Sequence, residues 1–434
     1  MAPLRVLISG AGVAGNALAF WLSKLSYCRV TIVELAPQLR LTGLQIDLRG
    51  AGIDVLRRMG LEAGFRACAA PEQGLEFVDK TGRRRAFFPA NKSGKGPQAF
   101  TSEFEIMRGD LCRLFYDATD KERARYLFGK AVDGFDETVS GEVVVRFTNG
   151  TTERFDLVVG ADGVGSRVRK LLLGCRDGAP DPSFYPRGDS YVAYFTLRRP
   201  IEPGEEYVAK SYVATGNRVV LVRRHSPHEI QVYLICRGNN LGRLGKARRG
   251  DTAEEKAAMD EVFRGAGWQV DDILRGMADA DDFYCQRMGL VKMDAWSRGR
   301  VALVGDAAYC PSANGFGSTT AVVGAYILAG EIARRCGPGA AGQDGSAEGA
   351  GGVEGERLVA ALQAYERRLR PFMDKMQKSE EKDRDMMPTS AFGVAVLYNL
   401  VSVAAFLRLD AIAMRFYHPE KGLDLPDYGD VLRV

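Results

Sequence analysis

The chain opens with a strand–turn–helix–strand unit that few folds accommodate. Val6-Leu7-Ile8-Ser9 is a short apolar run that reads as a buried strand. Gly10-Ala11-Gly12-Val13-Ala14-Gly15 follows at once, and Asn16 to Leu22 continues at helical period. A second strand, Val30-Thr31-Ile32-Val33, ends in Glu34, nineteen residues after Gly15. This is the dinucleotide-binding fingerprint in the context that gives it meaning. Gly10 permits the tight turn, Gly12 lets a pyrophosphate approach the backbone, and Gly15 lets the helix pack close to the strand. Ala14 lies in the same loop and counts with them. The helix N-terminus offers free N–H groups and a positive dipole to phosphates. Glu34 is placed to accept hydrogen bonds from ribose hydroxyls. The competing reading is an ordinary strand–helix turn with chance glycines.

Two later segments repeat this grammar. Asp156-Leu157-Val158-Val159-Gly160-Ala161-Asp162-Gly163 leads through Val164-Gly165-Ser166 to a helix start at Arg167. Gly299-Arg300-Val301-Ala302-Leu303-Val304-Gly305-Asp306 is a further strand ending in a carboxylate. Together the three segments resemble the class A flavoprotein monooxygenases, the group of p-hydroxybenzoate hydroxylase and the tetracycline-inactivating oxygenases. The resemblance runs from about Pro3 to about Leu369. It implies that the first segment holds the ADP half of FAD and that Asp162 and Gly163 touch both FAD and NADPH. It also implies that Asp306 reaches the ribityl chain, at the edge of the sheet where ligands of open α/β folds bind. It says little about substrate, because this family varies its substrate cavity on a constant flavin frame.

The expected fold is α/β: a Rossmann-like FAD-binding domain of the GR2 type, with an inserted, mostly antiparallel β-sheet substrate domain and a C-terminal helix. Residues 1–183 form the first part of the FAD domain, with interleaved substrate-domain strands near 75–107. Residues 184–290 form the substrate sheet, since Ser190–Leu197, Glu206–Val213, Arg218–Arg224 and Glu229–Arg237 alternate in polarity. Residues 251–277 look helical. Residues 291–336 return to the FAD domain. Gly and Ala dominate 337–356, which reads as a disordered surface loop. The remainder, 357–434, is a C-terminal helical region. Within it, Ala391 to Leu407 is an uncharged run of seventeen residues, at the short limit for a membrane span. It reads as a helix packed on the junction of the two domains, with membrane association as the alternative.

The resemblance supplies further site residues. Arg40 matches a position that contacts NADPH. Asp47 lies in the segment that passes the flavin, and Arg108 opens a helix with its guanidinium against the FAD. Gly315 and Gly317 precede a helix, Ser318 to Arg334, whose N-terminus faces the flavin pyrimidine edge. Here the usual Gly-x-Gly-x-Asn reads Gly315-Phe316-Gly317-Ser318-Thr319, and the aspartate often found farther along is Gly324. On the open face of the substrate sheet, Tyr212, Arg223 and Tyr233 are the substrate-binding candidates, with Tyr191 beside them. No general base stands out, so no catalytic residue is assigned.

Composition narrows the rest. Fifty-nine basic against 55 acidic residues give a net charge of +4, too small to argue for nucleic acid. Eight cysteines without a CxxC pair and only three histidines make a metal site unexpected. Scattered thiols fit a reducing compartment, and the N-terminus leads straight into a strand, so a cytoplasmic location is expected. Monomer and homodimer both stay open.

One glycine fingerprint, not two, and no redox cysteine pair argue against a disulfide reductase. NADPH would then bind transiently over the FAD domain. The chemistry implied by the resemblance is insertion of one oxygen atom from O2 into a small aromatic or polyketide-type substrate through a C4a-hydroperoxyflavin, the cofactor doing the chemistry. A halogenase is disfavoured because its tryptophan motif is missing. A geranylgeranyl-reductase-type flavoenzyme and a non-catalytic flavin-binding protein remain as alternatives.

Overall fold

A computed structural model describes residues 3–91, 101, 103–176, 178–238, 241–311, 315–338, 350–382, 388–409 and 423–432. From the N-terminus, β1 (Leu4–Ser9), α1 (Val13–Ser23) and β2 (Cys28–Glu34) form the opening unit. A short strand β3 (Gln45–Asp47) and helices α2 (Ala51–Arg58) and α3 (Glu62–Ala67) come next. Then follow β4 (Gly74–Val78), β5 (Arg84–Pro89), β6 (Glu105–Met107), α4 (Arg108–Ala118) and β7 (Ala124–Phe128). A meander of β8 (Val132–Glu137), β9 (Val143–Phe147) and β10 (Thr152–Phe155) precedes β11 (Leu157–Gly160) and α5 (Arg167–Leu172). Four long strands follow: β12 (Phe184–Arg198), β13 (Ala209–Ala214), β14 (Arg218–Arg224) and β15 (Glu229–Arg237). After α6 (Thr252–Phe263) and α7 (Val270–Asp279), the chain returns through β16 (Tyr284–Val291), β17 (Ser297–Arg298) and β18 (Val301–Leu303). Four helices close the described chain: α8 (Asp306–Tyr309), α9 (Gly317–Cys336), α10 (Ala350–Lys382) and α11 (Ala391–Phe406).

The first sheet runs β17-β18-β11-β1-β2-β7. Its strands from β18 to β7 are parallel, and β17 is an antiparallel edge. Helices cover the sheet, so Val6, Leu7, Ile8, Leu157, Val158 and Val159 are all buried and the strands read as continuous apolar runs. α1 and α9, buried from Thr319 to Ala333, pack together in the same core. The parallel order places the turns after β1, β2, β11 and β18 on one carboxyl edge. Gly10 N–H donates to Val33 O at 2.7 Å, Ala161 N–H to Ser9 O at 2.8 Å, and Val304 N–H to Gly160 O at 2.9 Å. The three glycine-bearing segments are thus adjacent in space.

The second sheet runs β16-β12-β15-β14-β13-β4-β5 and is antiparallel apart from the β13–β4 pair. One face is covered by α6 and α7, whose Met259, Phe263, Ile273 and Met277 join Phe195, Tyr212, Val220, Val222, Val232 and Leu234 in a second core. β3 pairs with β6 in a two-stranded ribbon that faces the other side.

Three expectations need correction or sharpening. The helical stretch 251–277 is two helices, broken where Gly265, Gly267 and Trp268 adopt positive φ (69°, 95° and 52°). Most of the glycine-rich 337–356 segment lies outside the described residues, and its end already forms the first turn of α10. The sequence Ser312-Ala313-Asn314 also lies outside them. α11 does not sit on the junction of the two sheets. It packs on β5 and β13, where Tyr398 donates to Val78 O at 2.6 Å and accepts from Val213 N–H at 3.0 Å. β5 is the edge strand of the sheet, and Val213 of β13 and Val219 of β14 offer an apolar face for the helix to cover.

Candidate functional site

Each sequence motif ends on the carboxyl edge of the parallel sheet for a local reason. Gly10 adopts φ +106°, and a Cβ there would meet Ala161 O at 2.7 Å. A Cβ on Gly15 would meet Gly10 O at 1.9 Å, so only glycine lets α1 start against the strand. No side chain caps α1, whose N-cap is Gly12. Glu34 is pinned between two backbone amides: Oε2 accepts from Ala11 N–H at 2.9 Å and Oε1 from Ala36 N–H at 3.0 Å. The carboxylate therefore fixes the glycine loop to the end of β2, with lone pairs remaining on both oxygens. Ala14 touches the third motif, since a Cβ on Gly305 would lie 2.8 Å from the Ala14 Cβ.

Arg108 is the first residue of α4 and lies over the loop. Its Nη2 is 3.2 Å from where a Cβ on Gly12 would stand, and its Cδ is 3.2 Å from the same point on Gly43. Exposed Arg40 and Arg108 both act on the buried Cys112, whose thiol burial pushes up and the two cations pull back. Glu34 acts there too, so Arg40, Arg108 and Glu34 share one neighbourhood.

Asp306 begins α8 at the end of β18. Burial pushes its carboxyl upward, and Arg108 and Arg169 pull it back. A Cβ on Gly317 would lie 3.7 Å from Asp306 Oδ1, and one on Gly315 would lie 3.8 Å from Asp47 Oδ1. Asp47 pairs with Arg49, whose guanidinium lies 5.7 Å from the Phe316 ring centroid. Arg49 N–H donates to Thr319 Oγ1 at 2.9 Å. Gly12, Arg108, Asp306, Gly317, Gly315 and Asp47 therefore form a chain of near neighbours from the start of α1 to the start of α9.

Asp162 has a defined local task. Its carboxylate accepts from Ser166 Oγ at 2.5 Å, Arg167 N–H at 2.8 Å and Val168 N–H at 3.1 Å, capping α5. Gly163 follows at φ +77°. The space beside Gly324 is occupied by the Tyr309 hydroxyl: a Cβ would meet it at 1.9 Å.

The substrate candidates divide between the two faces of the second sheet. Tyr212 is corrected: it is buried on the helix-covered face, donating to Ala266 O at 2.7 Å and packing on Trp268. Tyr191 also packs toward that side. Arg223 and Tyr233 sit on the opposite face, against β3 and β6. Tyr233 Oη accepts from Gln45 N–H at 3.1 Å, and Gln231 accepts from the same amide at 2.7 Å. Burial pushes the Tyr233 hydroxyl up to about 12, with Arg223 opposing. Tyr194 meets Tyr233 edge-on at 5.2 Å between ring centroids.

Two carboxylates at this face escape sequence reasoning. Arg223 pairs with Glu72 at 3.3 Å and Glu105 at 3.1 Å, and Gln45 Nε2 donates to both. Both glutamates are buried. Burial pushes Glu72 up to about 7, with Arg223 opposing and Glu105 adding to the rise. For Arg223, burial works against the charge, and the two glutamates more than offset it, raising its pKa. Gln45 Oε1, Glu72 Oε1 and Arg223 Nε are buried without a hydrogen-bond partner. Two acids and one arginine, distant in sequence, carry no local spacing signal.

Comparison with known proteins resolves the identity of this frame. The model of a family described as FAD binding domain matches residues 3–344. FAD-dependent monooxygenase asL4 of Sarocladium schorii is 45% identical over the full length of both chains. The chain belongs to the FAD-dependent monooxygenases. Flavin-dependent monooxygenase eupH of Phoma sp is 40% identical, covering 93% of each chain. Among solved structures, tetracycline destructase Tet(55) superposes with a TM-score of 0.72 at 27% identity, covering 99% of this chain and 100% of its own. The residues of this monooxygenase fit the cofactor of its family: an uncapped helix start, a glycine cradle that a Cβ would fill, and a cation beside it.

Proposed function

We propose that this monooxygenase uses FAD and NADPH to place one oxygen atom from O2 on a small aromatic or polyketide-type substrate. The observation that carries this reading is the convergence of Gly12, Arg108, Asp306, Gly315, Gly317 and Asp47 along one edge that meets the Arg223–Tyr233 face of the second sheet.

FAD supplies the hydride-accepting and oxygen-activating chemistry when bound. The chain supplies placement. The α1 N-terminus and Gly12 take the pyrophosphate, and Glu34 turns its remaining lone pairs to the ribose. The Arg108 fork offsets phosphate or ribose oxygen charge. Asp306 accepts from the ribityl hydroxyls. The start of α9, at Gly317, aims backbone N–H groups and positive dipole at the pyrimidine edge, where negative charge develops. Asp162–Gly163 serve both FAD and NADPH by shaping the loop after β11, and Arg40 serves NADPH by its exposed charge. Arg223, Tyr233 and Tyr194 orient the polar end of the substrate, and Glu72 holds or releases a proton beside them.

The relatives from Sarocladium and Phoma are fungal, which fits a role in secondary metabolism. The test is NADPH-driven turnover with a panel of phenolic and polyketide compounds under isotopically labelled O2. Product carrying one labelled oxygen is the expected result. NADPH oxidation with a saturated product and no O2 uptake would instead identify a reductase.

A further inference from the structure

Among the described residues, a row of exposed apolar side chains lies on α11, which packs on β5 and β13 of the second sheet. α11 carries no charged residue, and its packing uses only one side. Val394, Leu397, Tyr398 and Val401 face β5 and β13, and Ser402 Oγ donates to Arg85 O at 2.7 Å. The opposite side carries Phe392, Val396, Leu400, Val403, Phe406 and Leu407, spaced to lie along one face of the helix. All six are exposed, Phe392 at 80% and Phe406 at 86%. Single exposed apolar residues are ordinary, but a continuous row on one helix is a contact surface.

The charge around this row says what it contacts. Arg85 Nη2 reaches Asn399 Oδ1 at 3.5 Å, which brings the β4–β5 hairpin alongside the helix. The turn of that hairpin exposes Lys80 and Arg83. Exposed Arg408 ends the helix at φ 51°. Asp79 pairs with Arg83 and Arg85. Among the described residues, four cations (Lys80, Arg83, Arg85 and Arg408) thus face one carboxylate, leaving a surplus of three around an uncharged apolar strip. A second copy of this chain would bring a like-charged rim against this one. An anionic lipid surface matches both parts, burying the strip among acyl chains and the cations among headgroups.

We infer that α11 and the β4–β5 hairpin form a peripheral docking site for an anionic membrane surface. Among the described residues no helix is long and apolar enough to cross a membrane. The helix therefore lies on the bilayer rather than through it, held to β5 and β13 by Tyr398 and Ser402. This docking is independent of the oxygenation reading.

The test is co-sedimentation of the FAD-loaded full chain with vesicles of phosphatidylcholine, alone or with phosphatidylserine. Binding to the phosphatidylserine vesicles, weakened by salt, is expected. Phe392→Asp with Phe406→Asp alters exposed positions only, so flavin spectrum and melting temperature should hold while vesicle binding falls about tenfold or more. Arg83→Gln and Arg408→Gln should each weaken binding to the anionic vesicles about fivefold and leave neutral vesicles unaffected. Wild-type protein that stays in the supernatant with both vesicle types overturns the inference. So does vesicle binding that ignores the aspartates. A wild-type dimer in sedimentation velocity that Phe406→Asp turns to monomer would show that a second copy covers this face instead.

Discussion

The Arg108 guanidinium lies 3.2 Å from the point where a Cβ on Gly12 would stand, so helix α4 closes over the glycine loop of α1. Two elements far apart in sequence thereby frame one phosphate-sized approach. Arg108→Ala removes the cation and leaves the cradle open. A charge-assisted contact of this kind is worth about 1.5–3 kcal/mol, so the FAD dissociation constant should rise about ten- to a hundredfold. Fluorescence titration of apoprotein with FAD reads this directly. An unchanged constant would place Arg108 outside the cofactor site.

Glu34 combines two tasks that a pair of variants separates. Glu34→Gln keeps one acceptor oxygen and should hold either the Ala11 or the Ala36 amide, whereas Glu34→Ala leaves both unpaired, the buried Ala11 amide and the half-buried Ala36 amide. The alanine variant should lose about 1–3 kcal/mol of stability per orphaned amide. Thermal unfolding with and without added FAD checks the order: wild type, then glutamine, then alanine.

Glu72 makes a pH-dependent contribution whose sign follows from its surroundings. Its folded-state value is pushed up to about 7 by burial, above the usual carboxylate range. The folded protein therefore holds this proton more tightly than the unfolded chain between roughly pH 4.5 and 7. Stability from this group is fully present below that window, falls as pH rises through it, and is flat above. Glu72→Gln keeps the shape and removes the titration, so its melting temperature should fall less than that of wild type between pH 5 and 8. Equal slopes would contradict the assignment.

Packing constrains Gly324. A Cβ there meets the Tyr309 hydroxyl at 1.9 Å, and that hydroxyl bonds to Tyr365 Oη at 3.2 Å. Gly324→Ala should cost about 1–3 kcal/mol through overpacking. Adding Tyr309→Phe should recover part of it, a non-additivity that a double-mutant cycle measures.

The parts of this protein legible in its sequence are those where the backbone allows few residue types. Gly10, Gly15 and Gly305 stand where a Cβ would strike a neighbour within 3 Å, so their spacing alone marks the turns after β1 and β18. The four long strands are legible for a similar reason, since alternation survives wherever one face differs from the other. Which phase faces the helices is not legible, because both faces of the second sheet are covered. Tyr212 and Tyr233 carry the same side chain and lie on opposite faces. Glu72 and Glu105 give no signal at all, because Glu105 meets Arg223 through the pairing of β3 with β6 and the docking of that ribbon on β15, and Glu72 through the segment before β4 that runs beside β6. The α11 position depends on which sheet margin stays uncovered, a property of the assembled fold.

The most direct test of the central claim is the visible spectrum of the purified protein, without oxygen, before and after NADPH. The account expects a flavin spectrum that bleaches with NADPH, faster when a phenolic or polyketide substrate is present. A flavin that no nicotinamide reduces, with any of these compounds, would contradict it.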